Sequence, residues 1–216
     1  MPNKTFDNLS DEKKEAIIQA ALKEFTIHDY DSASLNDIIS EIGIAKGSFY
    51  RYFNNKKDLF DYLIEYGLEK KFNYVSKVKN SADDLFDFIL NITNSYVKFS
   101  MENISLAAFM LKASFSNAAV RDNYLFLKDG KTILMNKIKL SQQKGVLSSQ
   151  FSADFIYFCI MQLLLESSNY IKENYFGGKE LQVHLPKTLS ENQKIDHDIG
   201  TFYQQLVSFL KNGLCL

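Results

Sequence analysis

The sequence predicts an all-α protein: an N-terminal three-helix helix-turn-helix domain, residues 1–57, followed by a helical-bundle domain, residues 58–216. Three observations lead there. Apolar residues recur at i, i+3, i+4 and i+7 through almost every segment, the period of one buried helix face. Only two Pro and nine Gly interrupt 216 residues, too few for a turn-rich β protein and suited to long helices. Strand signals are nearly absent: Leu181 to Leu185 alternates but has no partner run. An apolar fraction of 46% with 14% aromatics excludes disordered and low-complexity classes. At about 150 residues per domain, one or two domains with a real core fit the length.

The first long helix is expected over residues 11–27. Ile18, Ala21, Leu22 and Phe25 form its buried face, Ser10 is its N-cap, and Asp11 and Glu12 place negative charge where the helix dipole favours it. The run from His28 to Ser32 breaks it. A short second helix follows, opened by a capping box from Ser34 to Asp37 and carrying Leu35, Ile38, Ile39 and Ile42 on one face. Gly43 is its natural stop, where the chain turns through positive φ. A third helix is expected from Ala45 to Phe53, with Phe49 and Phe53 facing inward. Asn54-Asn55 interrupts, and Asn55 caps a fourth that turns Leu59, Phe60, Leu63 and Ile64 inward.

Beyond this point helices are expected at 58–79, 82–101, 104–115, 119–144, 153–175 and 198–212. The breaks are Asn80-Ser81, Ser116-Asn117, residues 145–152, and the stretch 177–196 around Pro186.

The informative constellation is the pair of short helices joined by a glycine turn, residues 34–53. Such a pair braces with its first helix and can lay its second in a DNA major groove. The net charge of −1 excludes a uniformly basic nucleic-acid coat, so any such contact must be local. Locally the charge is right. From Ile44 to Lys57 the charged residues are Lys46, Arg51, Lys56 and Lys57, all positive, within a first sixty residues that carry eight Lys+Arg against ten Asp+Glu. Arg51 is one of only two arginines in the chain, and its planar fork can pair with guanine.

Three runs, Ile17 to Phe25, Ile38 to Phe53 and Asn55 to Leu59, carry a resemblance. With the string Gly43-Ile44-Ala45-Lys46-Gly47-Ser48-Phe49-Tyr50-Arg51-Tyr52-Phe53 at their centre, they resemble the DNA-binding domain of the TetR family of bacterial transcriptional regulators. The resemblance covers about one fifth of the chain and implies roles for matching positions. Lys46, Gly47 and Arg51 fall where the recognition helix reads base edges. Ser48, Tyr50 and Tyr52 fall where hydroxyls meet phosphate, Lys56 falls on a phosphate contact at the start of the fourth helix, and Ser34 touches phosphate as well as capping. The sequence departs from the family twice. Asp29 stands where a glycine is usual, which calls for an aspartate in the left-handed region. Ala45 stands where a polar cap is usual, giving up roughly 0.5–2 kcal/mol.

The resemblance also implies that the rest of the chain is a helical domain for dimerisation and effector binding. Two helices there are apolar over wide faces, which suits a four-helix dimer contact. The expected contact residues are Ile156, Ile160 and Leu164 on one helix and Ile199, Phe202, Leu206 and Phe209 on the other. An effector pocket is expected among Phe99, Phe109, Met110, Phe115 and Tyr124, with Phe158, Met161, Glu166 and Tyr170 from the later helix. The implied effector is small and apolar or aromatic. Plain core packing is the competing reading for each of these residues.

His28, His184 and His197 lack metal-ligand spacing. Asp196-His197-Asp198 is accounted for by an Asp cap on the last helix, and Lys70-Lys71 and Lys137/Lys139 by solvated helix faces. No nucleophile elbow, phosphate-binding loop or dinucleotide fingerprint occurs, so neither an enzyme nor a cofactor is expected. Cys159 and Cys215 stand alone, no apolar leader follows Met1, and no uncharged apolar run reaches ~18 residues. A reduced, cytoplasmic setting without membrane contact follows. The expectation is a homodimeric repressor on a palindromic operator in double-stranded DNA, released by its effector. The alternative is a DNA-bound protein whose C-terminal helices recruit a protein partner and bind no small molecule.

Overall fold

The computed structural model describes residues 2–76, 84–116, 130–175 and 189–215. Its elements are helices: α1 Lys4–Asp7, α2 Asp11–Ile27, α3 Leu35–Ile42, α4 Lys46–Phe49, α5 Lys56–Val75, α6 Leu85–Glu102, α7 Ile104–Ser116, α8 Gly130–Gln143, α9 Ala153–Tyr175 and α10 Leu189–Leu214. Among the described residues, an antiparallel bridge between Leu147 and Cys215 is the nearest approach to a sheet. The expected all-α fold is what the chain adopts.

The chain packs as two compact units. The first takes residues up to Lys70 together with α7 from Ser105, and the second takes Lys71 to Ile104 together with α8, α9 and α10. The expected domain boundary at 57/58 falls in the first turn of α5, a helix that contributes to both units.

In the first unit, Ile17, Ile18, Ala21, Leu22 and Phe25 of α2 are buried, and α3 packs across α2 with Ile38 and Ile39. Phe109 of α7 meets Phe25 at 6.2 Å and Phe60 edge-on at 5.1 Å. In the second unit α10 lies along α6, and α8 and α9 close the core around Phe88, Leu134, Ile138, Ile156 and Ile160. Each unit buries apolar side chains at roughly 1.5–3 kcal/mol apiece, the main term holding it.

Four element boundaries differ from expectation. Helix α10 begins at Leu189 rather than Asp198, so Asp196-His197-Asp198 lies inside the helix rather than at its start. The reason is Ile195: one turn before Ile199, it packs on the same core and extends the apolar stripe backwards. Helix α5 starts two residues earlier than expected, with Asn55 Oδ1 accepting from the Asp58 N–H at 2.9 Å. Helix α6 starts at Leu85 because Asp84 Oδ1 accepts from the N–H groups of Phe86 and Asp87. Helix α4 ends at Phe49, and the chain through Phe53 tightens into turns. The break at Asn80-Ser81, the first part of the helix expected at 119–144, the alternating run at 181–185 and Pro186 lie outside the described residues.

Candidate nucleic-acid interface

The helix-turn-helix is set by local chemistry at each corner. Ser34 caps α3 with its Oγ, which accepts from the Asp37 N–H at 3.2 Å. The return bond of a capping box is supplied from elsewhere: Glu24 of α2 accepts the Ser34 N–H at 2.7 Å. Gly43 then turns the chain at φ 71°, ψ 28°, a left-handed conformation that an L side chain adopts at a cost. Ala45 precedes α4 with no side-chain cap, as its chemistry requires.

Two rings anchor α4. Phe49 and Phe53 are fully buried, 5.7 Å apart. Behind them lies α1, which sequence reasoning missed. Phe6 of α1 is buried against Phe53 at 4.9 Å and edge-on to Tyr62 at 5.1 Å, and the Asn3 N–H donates to the Tyr52 carbonyl at 2.8 Å. The available signal was Phe6, the one aromatic among the first ten residues. Burial in this cluster pushes the Tyr62 phenol up to about 12, with Tyr66 and nearby carboxylates adding to it.

With Phe49 and Phe53 turned inward, Lys46, Gly47, Tyr50 and Arg51 are left exposed, and Ser34, Ser48 and Tyr52 are half-buried beside them. Among the described residues, neither Lys46 nor Arg51 is held by an ion pair or a side-chain hydrogen bond. A Cβ built on Gly47 meets nothing within 4 Å. Glycine inside a helix costs about 1 kcal/mol against alanine. No internal neighbour demands it here, so the bare backbone is free for close approach from outside.

The other two cations of the basic run are already engaged. Lys57 pairs with Asp61, whose carboxylate raises the lysine pKa. Lys56 donates to the carbonyls of Tyr30, Asp31 and Ala33 at 2.6, 3.1 and 3.0 Å and sits 4.8 Å from the Tyr30 ring. Asp29 does not enter the left-handed region, since no described residue but glycine has positive φ. Its carbonyl accepts from Ala33 N–H at 2.8 Å, and its carboxylate pairs with Lys112 of α7 at 3.2 Å, while Lys112 also donates to the Thr26 carbonyl.

The residues expected to line an effector pocket are divided between the two units. Phe109 and Met110 are buried in the first unit, whereas Phe99 is buried in the second, edge-on to Tyr74. Phe158, Glu166 and Tyr170 lie on the exposed face of α9, because the opposite face carries the core contacts, and Met161 is half-buried beside that core. The Phe115 side chain and Tyr124 lie outside the described residues. The expected dimer contacts also divide. Ile156, Ile160, Leu164 and Ile199 are buried in the second unit's own core. Phe202 and Leu206 are half-buried, and Phe209 is 69% exposed. An apolar helix all round was read as surplus for a monomer, but one side of it is that monomer's core.

Among the described residues, no group of three or more His, Cys, Asp or Glu gathers to hold a metal, and no helix is long and apolar enough to cross a membrane.

Comparison with known proteins places this geometry. The sequence pattern of bacterial regulatory proteins of the tetR family matches residues 17–63, which run from α2 into α5. The HTH-type transcriptional regulator YuxN of Bacillus subtilis is 38% identical over 72 residues, 33% of this chain and 25% of that protein. The chain thus matches about a quarter of the length of its curated Bacillus relatives. The crystal structure of a TetR family transcriptional regulator from Chloroflexus aurantiacus J-10-FL is 26% identical, with a TM-score of 0.79 over 100% of this chain and 99% of that one. The fatty acid degradation regulator FadR from Bacillus halodurans shares the fold at 23% identity, TM-score 0.63, over 95% and 98% of the two chains. These relatives are transcriptional regulators rather than enzymes. The capped α3, the left-handed Gly43 and the α4 pinned by two buried phenylalanines all lie within residues 17–63, which carry the pattern of bacterial regulatory proteins of the tetR family, and the whole chain shares its fold with a TetR family transcriptional regulator.

Proposed function

We propose that the protein is a cytoplasmic homodimeric repressor that binds a palindromic operator and is released from it by a small apolar or aromatic effector. The observation that carries this reading is the outward face of α4. Lys46 and Gly47 on that helix and Arg51 in the turn that follows are exposed and, among the described residues, without an ion pair or side-chain hydrogen bond, on a segment held from behind by Phe49, Phe53 and Phe6. Arg51 and Lys46 read base edges, Gly47 lets the backbone close on the groove, and Ser34, Ser48, Tyr50 and Tyr52 meet phosphate. Twofold symmetry sets two such helices about 34–36 Å apart or somewhat more, one per half-site.

The effector reading rests on the helical interior of the second unit, the kind of setting in which bundles hold ligands. Release is a population shift: the ligand favours an arrangement whose recognition helices no longer match the half-site spacing. Each tenfold loss of operator affinity needs only about 1.4 kcal/mol of differential binding.

The test is binding to the intergenic DNA upstream of the gene. Arg51→Ala is expected to lose about 1–3 kcal/mol and relax specificity at one position. Tyr50→Phe is expected to weaken binding alike on all sequences. Wild-type affinity in both variants overturns the assignment of readers. A rise in Tm on adding an apolar or aromatic compound identifies an effector.

A further inference from the structure

We infer that Lys56 is a positioning residue that latches the α2–α3 turn to the start of α5, and that it is not a phosphate ligand. The inference rests on the reading of the first unit as a DNA-binding domain and changes how that domain works.

An ammonium group has three N–H donors and no acceptor. The three of Lys56 lie at 2.6, 3.1 and 3.0 Å from the carbonyl oxygens of Tyr30, Asp31 and Ala33, with the cation 4.8 Å from the Tyr30 ring. All three acceptors belong to one irregular turn, which has no helix ladder to satisfy them. Lys56 does for this turn what a cap does for a helix end. A phosphate oxygen can reach the ammonium only by displacing one of these carbonyls, which leaves a part-buried acceptor unpaired at Tyr30 or Ala33, while the Asp31 carbonyl is exposed to water.

The latch controls more than its own turn. The turn ends at Ser34, the N-cap of α3, and Lys56 is the first residue of α5. Helix α4 hangs between those two points. One side chain therefore fixes both ends of the segment that presents Lys46, Gly47 and Arg51. One further bond ties the same turn to α2, from the Ser34 N–H to Glu24 at 2.7 Å, and one closes the turn on itself, from the Ala33 N–H to the Asp29 carbonyl at 2.8 Å. Their amide protons report on the latch directly.

The experiment compares wild type, Lys56→Met and Lys56→Arg in the full-length protein. Amide exchange is measured at Ala33 and Ser34. Binding is measured over a salt range on two probes, a short mixed-sequence DNA duplex and the gene's own upstream intergenic fragment. With a latch, Lys56→Met speeds exchange at both amides roughly tenfold or more. It leaves the salt slope at the wild-type value, and it lowers the preference for the intergenic fragment over mixed sequence by about tenfold, because the readers lose their aim. Lys56→Arg does not rescue, since a planar fork cannot reach three carbonyls arranged around a point charge. With a phosphate contact, the slope instead falls by about 0.9 per protomer, roughly 1.8 for a dimer, exchange is unchanged, and arginine restores binding. Any of those three results overturns the latch.

A merely destabilised variant loses active protein equally for both probes and keeps their ratio, which also overturns the positioning role. Should Lys56→Met not fold, the wild-type Lys56 ammonium signal decides by NMR: protected and unmoved by added duplex for a latch, shifted for a phosphate ligand. If wild-type protein shows no salt-dependent DNA binding at all, the functional reading fails, while the exchange data still judge the latch.

Discussion

Lys71 shows how far one side chain can depart from its sequence pattern. Next to Lys70 in a charged stretch it reads as solvated surface, yet it is 2% exposed in the second unit, its ammonium 4.2 Å from the Tyr96 ring. Nothing in the spacing of α5 discloses this, because burial is decided by α6 across from it. Desolvation holds its pKa well below the ordinary lysine value of 10.5. In the window between the depressed value and 10.5 the unfolded chain binds more protons than the folded one, so Lys71 makes stability rise with pH there. At and below the depressed value its cost is greatest. Lys71→Met is expected to be more stable than wild type at neutral pH, by ~2–4 °C in Tm per kcal/mol recovered, with the advantage shrinking toward pH 10. Thermal melts across that range check it, and a variant less stable than wild type at pH 7 refutes it. Arg51 is the opposite case, since its exposure and its sign were readable from neighbours within one turn, although it stands in the turn after α4 rather than on the helix.

At the scale of elements, what the chain encodes locally was legible and what it encodes through distant contacts was not. Ser34, Gly43 and Asn55 each act on backbone within three residues, and each sits in the structure as a cap or turn in its expected place. The end of α4, the existence of α1 and the start of α10 depend on partners far along the chain: Phe53 on Phe6, Ile195 on the second core. Asp29 is instructive, because its chemistry predicted a left-handed turn, whereas the structure uses its carboxylate for Lys112, 83 positions away by subtraction of their numbers. Gly43 supports the sharpest prediction at this scale. Its φ is 71°, and a Cβ there meets nothing within 4 Å, so any cost of substitution is conformational rather than steric. Gly43→Ala is expected to lose roughly 1–2 kcal/mol, and Gly43→Asn less, because asparagine tolerates that region. Urea unfolding followed in the first unit measures both, and equal losses for the two variants contradict the conformational account.

For the whole molecule, the question is which surface joins two copies. Helices α9 and α10 run antiparallel, with Tyr170 stacked on Phe202 at 5.0 Å, while the Ser148 N–H donates to the Leu214 carbonyl at 2.9 Å. The end of α10 is thereby tied to the turn that leads into α9. Near these ends stand Phe155, Phe158 and Phe209, exposed by 50%, 57% and 69%. Single exposed apolar residues are ordinary, but three aromatics this open on two packed helices of one unit leave large apolar area facing water. The sequence marked both helices as too apolar for one monomer, yet could not say which of their faces is spare, since that depends on where α6 and α8 pack. The structure turns Ile156, Ile160, Leu164 and Ile199 inward, and the proposed dimer surface moves to the opposite faces. Phe158→Glu combined with Phe209→Glu is expected to give a monomer by sedimentation with Tm near that of wild type. Ile160→Ala, by contrast, is expected to cost about 2–5 kcal/mol of stability and leave the folded fraction dimeric. The monomer should also lose the intergenic fragment far more than mixed-sequence DNA, because a single recognition helix keeps its phosphate contacts but forfeits the second half-site. If the doubly charged variant remains dimeric, copies meet elsewhere and the symmetry argument for a palindromic operator must be rebuilt on that other surface.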